Sequence, residues 1–173
     1  PAGGVATGWQ LAMRSKSPYG PYECKTVLAQ GGTNVNGPHQ GGWIRTKQGE
    51  DWFVHFQDKG AYGRVVHLQP VTWTKGWPVM GIDKDGDLCG EPVITYKKPN
   101  VRKTYPIQNP VESDEFNTPE LGKQWQWHAN YSQYYGQPTP YGFFRLYTHK
   151  LSENYVNLWE APSLLLQKTP ADA

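Results

Sequence analysis

The chain has 173 residues, 17 basic and 15 acidic, with a net charge of +2. This charge is too small to indicate a binding surface for nucleic acid or an anionic membrane. No apolar run approaches the roughly 18 residues of a membrane span, and the N-terminus does not resemble a signal peptide. The compartment therefore stays open between extracellular or periplasmic and cytoplasmic. Aromatic residues make up 14% of the chain and hydrophobic residues only 37%, which suits either a β core or surfaces that stack on sugar rings.

The first part of the chain, residues 1–95, reads as short strands separated by Gly- and Pro-rich turns. No stretch keeps an apolar period of 3.6 over three turns, so helices should be scarce. A further hairpin with an Asp-Gly turn is expected within 77–93. We therefore predict an all-β fold, with strands at 9–15, 22–29, 43–46, 51–57 and 63–73.

Residues 96–110 are predicted to form a linker, since they are rich in proline and weakly patterned. Four basic residues fall here and would suit a polyanion site, but a solvated linker is the favoured interpretation. They are Lys97, Lys98, Arg102 and Lys103.

Residues 111–173 are predicted to begin a second β unit, because aromatic residues alternate along them. The alternation is clearest at 143–149 and 155–159. About 60 residues are too few for a complete sandwich of seven strands.

The two cysteines and one triplet of aspartates each allow more than one interpretation. Cys24 and Cys89 are the only cysteines, and one bridge or two free thiols are both compatible with the sequence. The triplet Asp83, Asp85 and Asp87 has the look of a calcium loop but lacks the downstream Glu, so a hairpin turn is favoured.

His39 and Arg64 are the strongest candidates for a functional site. His39 lies among glycines in GPHQGG just before a strand, although a turn histidine is the commoner explanation of that pattern. Arg64 follows a glycine and opens an apolar strand, and its fork of donors suits sugar hydroxyls or a carboxylate. A surface arginine is the alternative.

Four segments in this order resemble glycoside hydrolase family 43, in particular its β-xylosidase and α-L-arabinofuranosidase branch with an added C-terminal domain. They are TGWQLAMRSKSPYGPYE, NGPHQGGWI, GRVVHLQPVTW and WPVMGIDKDGDLCGEPV. FNTPELGKQWQW resembles the opening of the appended domain. The resemblance implies the last blades of a five-bladed β-propeller at 1–95, followed by a partial β-sandwich.

The resemblance also implies an inverting mechanism, in which one carboxylic acid protonates the leaving oxygen and one carboxylate activates water. His39 matches the histidine that contacts a bound calcium, mostly through water. Arg64 matches the arginine that contacts substrate hydroxyls. Apart from the resemblance, Trp9 and Trp43 are candidates to line the pocket by stacking on the sugar, although core packing is the favoured interpretation of each.

The family's catalytic carboxylates lie on earlier blades, before the segment that matches residues 7–23. None of the fifteen acidic residues therefore matches a catalytic position, and the chain resembles a fragment. We expect its exposed blades to pair with the missing propeller half or with a copy of itself.

Two functions are predicted. The first is a hydrolase of xylan- or arabinan-derived oligosaccharides, represented by a piece without its catalytic carboxylates. The second is a non-catalytic carbohydrate-binding or interaction module, which needs the aromatic side chains and no acid pair.

Overall fold

The computed structural model describes residues 2–167, and within them there is no α-helix. The chain divides after Tyr105 into two compact units. The first unit holds six strands and the second four short ones. The predicted all-β class is confirmed. Within residues 2–167, no helix has the length and hydropathy of a membrane span.

The first unit contains a two-stranded antiparallel hairpin and a four-stranded antiparallel sheet. Strands β1 and β2 form the hairpin, and the sheet has the order β3-β4-β5-β6. Their bounds are β1 Gln10–Arg14, β2 Glu23–Leu28, β3 His39–Arg45, β4 Asp51–Asp58, β5 Arg64–Thr74 and β6 Trp77–Met80. The strands predicted in this part of the chain are present, and β3 begins earlier than expected, at His39.

The core of the first unit lies between the hairpin and the sheet. Val27 and Leu28 of β2 are fully buried and pack with Phe53, Trp77 and Met80 of the sheet. Burying a side chain of this size contributes about 1.5–3 kcal/mol each. Apolar burial therefore fixes the hairpin onto the sheet without a disulfide, and the cysteines are free.

A β-bulge interrupts β3 at the start of the sheet. His39 pairs with Phe56, but the next paired residue, Gly42, lies opposite Val54. Two residues of β3 therefore face a single residue of β4, which is the arrangement of a bulge. Gly41 is required there, since a Cβ on it would approach the Val54 carbonyl oxygen far inside van der Waals contact.

The hairpin predicted within 77–93 is wrong beyond β6. Ile82 and Glu91 form only one isolated bridge, and no second strand follows. The Asp83 carboxylate accepts two downstream backbone N–H groups, at 2.8 and 3.0 Å. Aspartate side chains compete in this way for donors that a ladder would need.

The second unit has two small antiparallel ladders, one joining β7 to β10 and one joining β8 to β9. Their bounds are β7 Gln126–Trp127, β8 Gly136–Pro138, β9 Phe144–Leu146 and β10 Leu165–Leu166. The strand predicted at 143–149 is reduced to β9. The strand predicted at 155–159 is wrong, because Leu158–Glu160 forms a 3-10 turn in which the Trp159 N–H donates to the Asn157 side chain.

The segment 96–110 has no regular secondary structure. Its first half belongs to the first unit, where Tyr96 makes an edge contact with Trp52 and the Asn100 N–H donates to Glu50 at 2.7 Å. Its four basic side chains are exposed. The domain limits 1–95, 96–110 and 111–173 stay a prediction.

Candidate functional site

His39 and Arg64 contact the same aromatic ring, that of Phe56 on β4. The ring centroids of His39 and Phe56 are 5.8 Å apart, and the Arg64 Cζ lies 4.5 Å from the Phe56 centroid. The strand register of the sheet brings the two side chains to the same ring. His39 pairs with Phe56, while Arg64 pairs with Asp58, two residues further along the same face of β4.

His39 is buried, and its ring nitrogens have different surroundings. Nδ1 lies 2.7 Å from the Gly37 carbonyl oxygen. A carbonyl can only accept, so Nδ1 carries the proton and donates to it. Nε2 is then the ring nitrogen left for a hydrogen bond to a ligand, and no residue of the described chain bonds to it. The Gly37 carbonyl fixes the orientation of the imidazole.

Gly8, on the segment before β1, gives the imidazole its space. A Cβ on Gly8 would lie 2.7 Å from both His39 Cδ2 and His39 Cε1, the two carbons beside Nε2. It would also lie 2.7 Å from the Ala2 carbonyl oxygen, so backbone as well as side chain would have to move. Any larger residue at this position would displace the ring.

Arg64 keeps its hydrogen-bonding capacity. Its guanidinium rests over Phe56 and forms no ion pair or hydrogen bond with any part of the chain in residues 2–167. Asp58 lies opposite it in the ladder without forming a salt bridge. A cation–π contact of this kind fixes the plane of the guanidinium while leaving its N–H donors to a ligand.

Asn36, three residues before His39, carries an unsatisfied buried group. Its side-chain nitrogen donates to the Asp58 carbonyl oxygen at 3.1 Å, but its Oδ1 has no partner among the described residues. A buried oxygen without a partner is a position that ordered water or an ion commonly satisfies. Sequence reasoning missed both Asn36 and Phe56, because neither carries a motif.

Of the two tryptophans predicted to bind substrate, only Trp43 is clearly separated from His39 and Arg64. Trp43 pairs with Phe53 and is therefore on the opposite face of the sheet from Phe56. Trp9 is partly exposed and directly follows Gly8 in the sequence. It forms an isolated antiparallel bridge with Ala2. The structure does not bring Trp43 together with His39 and Arg64, and the role of each tryptophan in sugar binding stays a prediction.

The face that carries Phe53 also holds a buried polar network. The Gln69 side chain is fully buried; its Oε1 accepts from the Val93 N–H at 2.7 Å, and its Nε2 lies 3.1 Å from His55 Nε2. His55 Nδ1 donates to the Phe56 carbonyl, so Nε2 accepts from Gln69. Burial lowers the pKa of His55 to about 4. The network joins the segment at Val93 to the sheet.

The acidic loop and Cys89 do not form a reactive centre. The carboxylates of Asp83, Asp85 and Asp87 come within 4.8 Å of one another, but each accepts a backbone N–H of its own loop. Backbone bonds account for this cluster as a turn. Burial raises the pKa of the Cys89 thiol to about 11, so it stays protonated at neutral pH.

Comparison with known proteins finds a matching sequence family for each of the two units. Residues 1–78 match the sequence family described as glycosyl hydrolases family 43. Residues 113–173 match the β-xylosidase C-terminal concanavalin A-like domain. The chain belongs to glycoside hydrolase family 43. The predicted fold is confirmed as late blades of the family's five-bladed β-propeller, followed by part of a β-sandwich.

Relatives of this family 43 chain are considerably longer than the chain itself. A protein of Xylanibacter ruminicola is 49% identical over 131 residues, which are 75% of this chain and 24% of that protein. A beta-xylosidase of Formosa agariphila is 44% identical over 127 residues, 70% of this chain and 21% of its own. The crystal structure of the GH43 BlXynB protein from Bacillus licheniformis superposes with a TM-score of 0.76 and 25% identity, covering 96% of this chain and 33% of that one. The chain thus spans about a quarter of these curated relatives.

Proposed function

We propose that this chain supplies sugar-binding and cation-side groups of an inverting glycoside hydrolase acting on xylan- or arabinan-derived oligosaccharides. The beta-xylosidase of Formosa agariphila and an alpha-L-arabinofuranosidase of Bacteroides ovatus, 32% identical over 138 residues, support both substrate types. The observation that carries the proposal is the shared contact of His39 and Arg64 with Phe56, which sets an acceptor and a fork of donors on one face of the sheet.

Arg64 positions the terminal sugar in this proposal. Its N–H donors form no hydrogen bond within residues 2–167. The cation–π contact with the Phe56 ring holds the guanidinium and leaves these donors available to a ligand. Adjacent hydroxyl oxygens of a pentose ring have the spacing that a planar guanidinium fork recognises. Donors held in place before the substrate arrives cost little entropy on binding.

A calcium ion fits the surroundings of His39 as an outer contact. Calcium prefers oxygen ligands, so an imidazole would accept a hydrogen bond from a calcium-bound water. Nε2 of His39 has the free lone pair for this, and the unpartnered Oδ1 of Asn36 is an oxygen of the kind calcium binds. When bound, the ion supplies positive charge that favours the ionised form of nearby carboxylates.

We propose that the acid and base of hydrolysis come from polypeptide other than this chain. An inverting enzyme needs two carboxyl groups on opposite sides of the sugar. The chain covers only 24% and 21% of two relatives of this family, so most of the polypeptide of those proteins lies outside the matched part, which supports this view. The partner would be the remaining propeller blades, or a second copy of the chain that covers the same surface.

Substitution of Arg64 tests the proposal. Arg64→Ala should lower turnover of a chromogenic xyloside or arabinofuranoside at least about tenfold, or roughly 1.4 kcal/mol, because transition-state contacts are lost. If the chain alone does not hydrolyse these substrates, the same loss is expected in its affinity for xylo-oligosaccharides, measured by calorimetry.

Arg102→Ala is the matched control, since Arg102 is an exposed arginine in the segment 96–110. Equal kinetics or affinity for Arg64→Ala and wild type would reject the role of Arg64. Retention on xylan without any hydrolysis would instead support the carbohydrate-binding module.

A further inference from the structure

Two half-exposed tryptophans form a pair at the end of the sheet near the β3–β4 turn. The ring centroids of Trp43 on β3 and Trp73 on β5 lie 5.2 Å apart with a tilt of 43°. Each residue is 50% exposed. Two large apolar rings side by side at the surface offer a contiguous apolar face on which a flat ligand can stack.

The pair is held by a buried carboxylate between the two strands. Trp43 Nε1 donates to Asp51 Oδ1 at 3.1 Å, and Trp73 Nε1 donates to Asp51 Oδ2 at 2.9 Å. The Asp51 side chain is only 6% exposed. Each indole N–H is therefore directed inward and already bonded, so what the rings offer outward is their apolar faces.

This arrangement is preorganised. Charge-assisted hydrogen bonds to one carboxylate fix both indoles, and the antiparallel ladders fix the strands that carry them. A surface whose rotamers are already restricted loses little conformational entropy when a ligand stacks on it. Arg45 completes the edge: its Nε lies 3.7 Å from Asp51 Oδ1, and its side chain remains largely exposed.

The pair is separate from the His39 and Arg64 site. Trp43 pairs with Phe53, whereas His39 pairs with Phe56, and residues three apart on one strand point to opposite faces. A ligand on the two indoles therefore lies on the face of the sheet opposite to the Phe56 ring.

We propose that Trp43 and Trp73 form a second carbohydrate-binding surface that stacks a pyranose ring of a xylan chain. The flat C–H face of a xylopyranose covers one indole, and Arg45 donates to hydroxyl oxygens at the edge. The choice of xylan rests on the proposed function, while the location of the surface does not. It would hold polymer near the enzyme without taking part in hydrolysis.

The first test establishes the pair in solution. Two indoles at this distance couple, and the far-ultraviolet circular dichroism of the chain should show a couplet. Trp73→Phe should abolish the couplet, and Asp51→Asn should weaken it because one oxygen acceptor is lost. A spectrum unchanged by Trp73→Phe would overturn the geometry on which the proposal depends.

The second test measures binding to soluble xylan by affinity electrophoresis of the 173-residue chain. Trp73→Ala should weaken binding about tenfold, as expected for one lost aromatic stacking contact. Trp159→Ala is the control, since Trp159 is a more exposed tryptophan outside the pair. Arabinan, whose furanose rings lack a flat face of this size, should bind much more weakly than xylan.

The outcomes separate this surface from the proposed function. Loss of xylan binding in Trp73→Ala, with Trp159→Ala and Arg102→Ala unchanged in this assay, supports the second surface. Loss only in Arg64→Ala overturns it and leaves the proposed function standing. Absence of xylan binding by the wild type, equal binding of arabinan, or an equal loss in Trp159→Ala also overturns it.

Discussion

The two units are both rich in aromatic residues but differ in how these are anchored. In the first unit, β4 pairs with a neighbour on each side, and Trp52 and Phe53 are almost completely buried. In the second, the ladders join strands of only two or three residues. There, Tyr141 and Trp159 stay largely exposed. Aromatic content therefore does not indicate burial, which depends on how much paired sheet lies behind each ring.

The largest difference should appear when matched phenylalanines are truncated in each unit. Phe53→Ala should lower the free energy of unfolding by about 4 kcal/mol, since it leaves a cavity in the core of the first unit. Phe143→Ala should cost less than about 1 kcal/mol, because that ring is 44% exposed.

Amide hydrogen exchange resolves the two units and can measure both changes. Protection of β4 and β5 should fall in Phe53→Ala, and protection of β8 and β9 should fall only slightly in Phe143→Ala. Equal losses in the two variants would contradict the comparison.

The stability of the first unit should fall in acid because of the buried His55. Burial lowers its pKa to about 4, against 6.5 in the unfolded chain. Below pH 6.5 the unfolded state binds the proton more readily, so stability falls as pH decreases and levels off below about 4. The loss is about 3 kcal/mol across this window. Burial also lowers the pKa of His67, which acts in the same direction.

Urea titrations between pH 7 and 4 measure this slope. His55→Gln cannot titrate in the range and should lose most of the pH dependence, whatever its effect at pH 7. A variant with the same slope as wild type would show that another group is responsible.

The smallest effect is expected at the surface of the β1–β2 hairpin. Arg14 and Glu23 form a 2.6 Å ion pair in which both side chains are well exposed. Glu23→Gln should change the free energy of unfolding by less than about 1 kcal/mol, because solvent screens exposed pairs. Arg14 keeps its contact with the Trp77 ring, at 4.1 Å from the centroid.

Unfolding at low and high salt tests this expectation. The difference between wild type and Glu23→Gln should shrink as salt is added. A cost comparable to that of Phe53→Ala would mean that the hairpin depends on charge more than on its buried face.

Local patterns were enough for most strands of the first unit. Alternation along 51–57 and 63–73 matches β4 and β5, because each strand has one core face. The same reasoning failed at 77–93 and at 155–159, where Asp83 and Asn157 satisfy backbone donors with their side chains. Short-range hydrogen bonds of this kind compete with a ladder whose partners are distant in sequence.

The sequence by itself determined the family and the all-β class, and it predicted a role for His39 and Arg64, because these depend on residue types in a fixed order. Only the tertiary structure decided which residues meet. The bulge after His39 changes its register by one residue, and one residue is the difference between the two faces of a sheet. The bulge places His39 in contact with Phe56. Trp43 lies on the other face of the sheet, where its ring contacts that of Trp73 and both indoles donate to Asp51.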